Sequence, residues 1–439
     1  MRATRNYTSL NAIPEVNSAT GPHMYRQPEP RHIASEKELV KARSFRAVEV
    51  TYDQDASNPR RFLYTIPGTT MIPKLPDQQK LVTVQPRMAG GIFVIEYPAG
   101  KIEPGLGVIK NARKEMVEET GFDVVGSPRE LGTMSTRPDI MPSETEHAVE
   151  TNATYLGKPT PEPVENVTIY KADESTVLDL IDGRLFIDAK CVVAAAKHVR
   201  FMQAFPELAG KRQEVDSEIQ RHIDEIPEIS LSSGPHMARE LKSPLPGKLA
   251  SQETLAEAEK FSVIKRVFEP GRDPQDIYIS AVTRPGAIII PELPSGDFVM
   301  RWSYHEAAQK FDYTFPFSAL TEGLTIPQSA LRTLGSQTGL QASRIEQIGE
   351  IVVHPGWLMG ERHQIFKALC ESVEAPNKQE AVSVLVRASP STVQDMIDTS
   401  TITEIGAQSA VFFDKLYRAR KERADSDVHP LLRPGYAPA

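Results

Sequence analysis

The feature that most constrains this chain is a segment that occurs twice in one register. Pro67, Gly68, Ile72, Pro73, Leu75 and Pro76 return 218 residues later as Pro285, Gly286, Ile290, Pro291, Leu293 and Pro294. The same offset carries Pro98, Gly105, Leu106, Ala112, Thr120 and Gly121 onto Pro316, Gly323, Leu324, Ala330, Thr338 and Gly339. A shared register of this length is the mark of a repeated fold. Near the end, Thr176-Val177 and Ile181-Asp182 recur as Thr392-Val393 and Ile397-Asp398, now at an offset of 216. The chain is therefore expected to fold as two related units.

The 439 residues are 40% hydrophobic, enough for two substantial cores. Residues 1–42, with Pro14, Pro22, Pro28 and Pro30, read as an extended arm. The first unit is expected over 43–208, a linker over 209–256 with a short helix around Val215–Ile226, the second unit over 257–425 and a tail over 426–439. Each unit reads as strands, a Gly-containing loop, one helix, more strands and closing helices, so the expected class is α+β, in a layered α/β/α arrangement with mixed sheets. Strands are expected over Phe45–Tyr52, Leu81–Val84, Ile92–Glu96 and Val167–Tyr170.

A formal net charge of −8 offers no basic footprint for a long nucleic acid. Two cysteines, Cys191 and Cys370, make no disulfide framework, and no run approaches a membrane span, so a cytoplasmic protein with no membrane partner is expected.

The chemistry is concentrated between Gly100 and Phe122. Residues from about Val108 to Glu119 form a helix closed by Thr120-Gly121, with Gly121 suited to the left-handed turn that ends it. Ile109, Ala112 and Met116 are expected to be its buried stripe. Glu115, Glu118 and Glu119 then converge on a neighbouring face, where their repulsion favours a hard divalent cation, Mg²⁺ or Mn²⁺. Taken alone, such a cluster is more often a solvated helix face.

The flanking residues sharpen this. Gly100, Glu115, Met116, Glu118, Glu119, Gly121 and Phe122 stand in the register of the Nudix hydrolase signature, and the stretch 43–208 resembles that family. Two positions depart from it: Leu106 stands where the family has an early Glu, and Lys114 replaces Arg, keeping the charge without the rigid two-pronged donor. Glu96-Tyr97-Pro98-Ala99-Gly100-Lys101-Ile102-Glu103, preceded by Gln85-Pro86-Arg87 and followed by Pro138, is similar to the ADP-ribose pyrophosphatase group.

By position, the resemblance implies that the main-chain oxygen of Ala99, with Glu115 and Glu119, holds Mg²⁺. Glu118 would bind a second ion or orient water. It implies a catalytic base on a later loop, Glu162 or Glu165, and substrate contacts from Arg87, Lys101, Arg137 and Glu144. Arg87 and Arg137 are equally readable as ordinary surface arginines. The implied substrate is a nucleoside diphosphate linked to a second group, ADP-ribose first, with NADH, another NDP-sugar or a capped nucleic-acid end sharing the same core chemistry.

In the second unit Thr333, Ser336 and Gln337 stand where the first has Glu115, Glu118 and Glu119, so that copy is expected to be noncatalytic. Trp357 either stacks on a base or anchors the domain, and neither His354 nor His363 belongs to a metal constellation. The two copies are expected to pair with each other as a pseudo-dimer, or the chain to homodimerise.

Overall fold

A computed structural model describes residues 9–16, 29, 31–87, 89, 92–142, 145–160, 167–208, 215–230, 248–269, 277–373, 384–422 and 429–432. Within them the chain is mixed α/β, with two multistranded mixed sheets and seven α-helices.

In the first half, β1 (Ile33–Lys41), β2 (Arg46–Tyr52) and β3 (Arg60–Tyr64) form an antiparallel sheet. A larger sheet runs in the order β10 (Thr168–Ala172), β5 (Lys80–Arg87), β4 (Gly68–Lys74), β9 (Glu146–Tyr155), β8 (Phe122–Met134). The hairpin partner β6 (Ile92–Glu96) pairs with β5, and β7 (Ala99–Lys101) with β4. One face of this sheet carries α1 (Val108–Thr120), and α2 (Glu174–Asp182) and α3 (Ala189–Ala204) close the half.

The second half repeats the plan. Strands β11 (Leu249–Glu257), β12 (Ser262–Phe268) and β13 (Ile277–Val282) form a sheet joined by the short β19 (Leu358–Met359). The larger sheet runs β16 (Lys310–Thr314), β15 (Phe298–His305), β14 (Gly286–Glu292), β20 (Arg362–Val373), β18 (Leu340–Val352). β17 (Phe317–Ala319) pairs with β14, and β21 (Val384–Ala388) with β15. Its helices are α5 (Ile326–Thr338), α6 (Pro390–Asp398) and α7 (Ile405–Glu422); α4 (Ser217–Glu225) lies between the halves in sequence. The 218-residue offset holds from β4 and β14 to β8 and β18, with α1 falling on α5.

Several features differ from the sequence reading, each for a physical reason. β1 lies within the expected arm and all but the last residue of β11 within the expected linker; both strands are mostly exposed, so neither carries the apolar alternation that marks a half-buried strand. In the arm, Ile13 is buried in the second half's core and Glu15 bridges Arg387, so this segment is secured by the distant half. On α1, Ala112 and Met116 are buried but Ile109 is 38% exposed; the buried side passes instead through Asn111 and Glu119.

The halves share a core. α3 and α7 contribute Val192, Val193, Phe412 and Phe413 to one continuous cluster. The residue after β8, Ser135, bridges Glu404 just before α7, while Val352 at the end of β18 bridges Asp188 just before α3. Nearly the same contact is thus made twice with the roles exchanged, the pattern of a two-fold interface. Each small sheet also leans on the opposite half. Ala307 packs with Val48, Val50 and Phe62, and Arg266 donates to the Ala89 carbonyl.

Candidate active site

The site is organised by the start of β7 and by one side of α1. Gly121 closes α1 in the left-handed conformation at φ 74°, where only glycine is unstrained, as its place after Thr120 led one to expect. That stop fixes the last turn, and with it Glu119. Its carboxylate is almost fully buried; Oε2 accepts from the Ala99 N–H at 3.2 Å and Oε1 from Gln85 Nε2 at 3.3 Å.

Glu115, one turn earlier, packs directly on Gly100. A Cβ at position 100 would lie 2.1 Å from the Glu115 carboxyl carbon, so the glycine makes room for the acid. In the second half Ser318 takes the place of Gly100, and the shorter Thr333 takes the place of Glu115. The space is exchanged between the two positions. Gly100→Ala is accordingly expected to push Glu115 aside and match Glu115→Gln in lost turnover, with only a small change in thermal midpoint. Parallel kinetics and melting would check it, and full activity in Gly100→Ala would refute this account of Glu115.

Glu118 turns another way. Lys114 Nζ lies 2.6 Å from its carboxylate, 3.3 Å from Glu103 and 3.8 Å from Glu115. The hydrogen bond to Glu118 leads the effects that hold the Lys114 ammonium above its ordinary range. Lys114 therefore neutralises part of the acidic group.

Arg87, on β5, forms an ion pair with Glu96 at the end of β6. Burial alone would lower its pKa, but Glu96, Asp188 and Glu119 outweigh that and raise it. Burial pushes the Glu96 carboxyl up to about 7 despite the arginine. Arg87 Nε is itself buried without a hydrogen-bond partner, a donor held in reserve beside the acids.

The other expected contacts are placed differently. Lys101 Nζ donates to the Ser44 carbonyl and the Thr65 hydroxyl, 5.8 Å from the centre of the Trp357 ring. Arg137 is buried and held by Asp139 and Glu361, so it ties the two halves together. Trp357 stacks on Phe45 at 4.9 Å and on His354 at 4.9 Å; it anchors the junction, the second of its two sequence readings. Glu144, Glu162 and Glu165 lie outside the described residues.

In the second half Gln337 occupies the position of Glu119. Its Nε2 donates to the Phe317 carbonyl at 3.0 Å, and its Oε1 accepts from Arg301 at 2.6 Å. The side chain still reaches the strand residue matching Ala99, but it meets the carbonyl in place of the N–H, and the negative charge is gone. Sequence reasoning missed the roles of Glu96 and Asp188, which the fold brings to Arg87, and of Lys190 and Cys191 beside those acids. Asp188 and Cys191 are about 90 residues from Glu96, and no local pattern links them.

No protein-family model matches the chain, and no curated protein does. Among solved structures it is similar to one described as an ADP compounds hydrolase, at 18% identity and a TM-score of 0.34, over 41% of this chain and 98% of that one. Among the described residues, no helix is long and apolar enough to cross a membrane.

Proposed function

We propose that the first half is a Nudix-type, Mg²⁺-dependent pyrophosphohydrolase. It would cleave the diphosphate of a nucleoside diphosphate linked to a second group, with ADP-ribose giving AMP and ribose 5-phosphate. The observation that carries the reading is the placement of Glu115 and Glu119 against Gly100 and Ala99, set against neutral Thr333 and Gln337 in the other half. A fold that needed only packing there would not require the carboxylates.

The donor set fits a hard cation. Glu115 and Glu119, with the Ala99 carbonyl, supply oxygen ligands only, and Lys114 offsets part of the charge around them. Once bound, Mg²⁺ would offset charge on the diphosphate and favour ionisation of the attacking water.

The chain's own residues supply the rest. Arg87 is assigned to a phosphate oxygen through its partly exposed guanidinium, and the Ala99 N–H fixes Glu119 in orientation. Glu118 is assigned to a second ion or to water, and Glu162 or Glu165 to the base that takes the proton from water. Glu144 belongs to the wider substrate assignment, while Lys101 and Arg137, held by Ser44, Thr65, Asp139 and Glu361, are assigned to the junction. Hydrolysis adds the water oxygen to one phosphorus and breaks the bridging P–O bond, leaving two monophosphates.

The test is a screen of ADP-ribose, NADH, diadenosine polyphosphates and NDP-sugars with Mg²⁺, resolving the products. Cleavage of at least one, with AMP from an adenylylated substrate, is expected. Binding without turnover across the whole set would overturn the enzymatic reading and leave a nucleotide-binding protein.

A further inference from the structure

Three buried side chains beside the acidic helix have no part in the hydrolytic reading. Glu96 ends β6, Asp188 caps the N-terminus of α3, and Cys191 sits in the first turn of that helix; each is at most 1% exposed. A carboxylate oxygen of each acid and the Cys191 sulfur all lie within 4.8 Å of one another.

Their ordinary partners leave atoms over. One Glu96 oxygen, Oε1, is taken by Arg87, and Oδ1 of Asp188 accepts from the Lys190 N–H. The remaining Oε2 and Oδ2 are buried with no hydrogen-bond partner. Buried carboxylate oxygens in that state are costly, and each calls for a ligand or a proton. Two cations share the charge of this cluster, Arg87 on Glu96 and Lys190 among the acids. Burial would lower the Lys190 ammonium, yet Glu146, Asp188, Cys191 and Glu96 together hold it above its ordinary range.

The repeated half shows that the architecture does not need this cluster. There Thr314 stands for Glu96, Glu404 for Asp188 and Ala407 for Cys191. Both oxygens of Glu404 are satisfied, by the Gly406 N–H at 2.8 Å and the Ala407 N–H at 2.6 Å. The same sheet end and helix start are made with no carboxylate oxygen left over.

We propose that Glu96, Asp188 and Cys191 form a binding site for a thiophilic divalent cation, Zn²⁺ by the chemistry of its donors. Zn²⁺ accepts one thiolate and two carboxylates at roughly 2.0–2.3 Å, which places ligand atoms well inside the observed separation, whereas Mg²⁺ disfavours sulfur. Arg87 keeps Oε1 and the ion takes Oε2, so the ion pair need not break. On binding, the Cys191 thiol gives its proton to solvent as the sulfur–metal bond forms. Three protein ligands leave a fourth position for water.

Co²⁺ is the probe, added to the full chain and followed by its thiolate-to-metal charge-transfer absorption. One equivalent is expected to develop the band, Zn²⁺ to abolish it and excess Mg²⁺ to leave it unchanged. Cys191→Ala should lose the band, and Ala407 at the matching site shows that the fold accommodates alanine there. Cys370→Ala, which removes the chain's other thiol on β20, should keep it. Asp188→Asn retains a capping oxygen and should weaken Zn²⁺ binding at least about a hundredfold. No band in the native protein, as when Glu96 and Asp188 merely share a proton, overturns the proposal, as does a band that persists in Cys191→Ala. Absorption is read without turnover, so this result is separate from the fate of the hydrolase assignment.

Discussion

Glu119→Gln is expected to lower Mg²⁺-dependent hydrolysis by about a hundredfold or more, roughly 3 kcal/mol of transition-state stabilisation, while the protein stays folded. The folding half of this expectation rests on the hydrogen bonds. A glutamine at 119 can still accept from the Ala99 N–H, and Gln85 can turn its amide to accept from the new NH₂ group. Gln337 already holds the corresponding place in the second half, donating to one neighbour and accepting from another. The stability cost should therefore be that of one altered hydrogen bond, about 1 kcal/mol.

The activity half rests on charge. An amide oxygen cannot replace a carboxylate that balances a divalent cation next to a diphosphate, so the loss falls on kcat. Steady-state kinetics over a Mg²⁺ series, with a melting curve for each variant, separates the two effects. Turnover equal to that of the native protein in Glu119→Gln would remove the acidic helix from the mechanism. Gln337→Glu should create no second activity, because Thr333 and Ser336 still lack carboxylates.

What the sequence disclosed was whatever depends on neighbours along the chain. Gly121 ends α1 because a left-handed residue is needed there, and the acids of one helix face are set by helical spacing. The repeat was readable because matched prolines and glycines mark matched turns. By contrast, β1 and β11 hide because their side chains face solvent, and Ile109 misled because an apolar residue at helical spacing need not face the core. The contacts least visible beforehand are the long-range ones. Arg137 meets Glu361 across 224 residues, and Glu96, Asp188 and Cys191 meet only because β6 ends where α3 begins. Sequence likewise left Trp357 open between ligand and anchor, and only its stacking on Phe45 across the two halves decides where it is used.

Arg137→Met is expected to cost about 3–5 kcal/mol, because it strands a buried charge. Glu361 is fully buried and meets Arg137, the Thr283 hydroxyl and His363 Nε2, the last at 2.6 Å. Methionine fills much of the arginine's volume but leaves the carboxylate with two partners. Asp139 suffers less, since Lys260 remains 3.3 Å away.

The pH dependence provides an independent readout. Burial would raise the Glu361 carboxyl, but Arg137 and His363 reverse that and bring it from the ordinary 4.5 down to about 2. A depressed acid stabilises the fold above its unfolded value, and that contribution is lost as pH falls from about 4.5 towards 2. Without Arg137 the folded value rises, so the acid-unfolding midpoint of Arg137→Met should move to higher pH, and the double variant Arg137→Met/Glu361→Leu should recover part of the lost stability by removing the stranded charge. Denaturant titrations near neutral pH and a stability series through the acid range measure both. A loss below about 1 kcal/mol in Arg137→Met, with an unmoved acid midpoint, would mean that the halves are held by their shared apolar core and that this ion pair adds nothing to it.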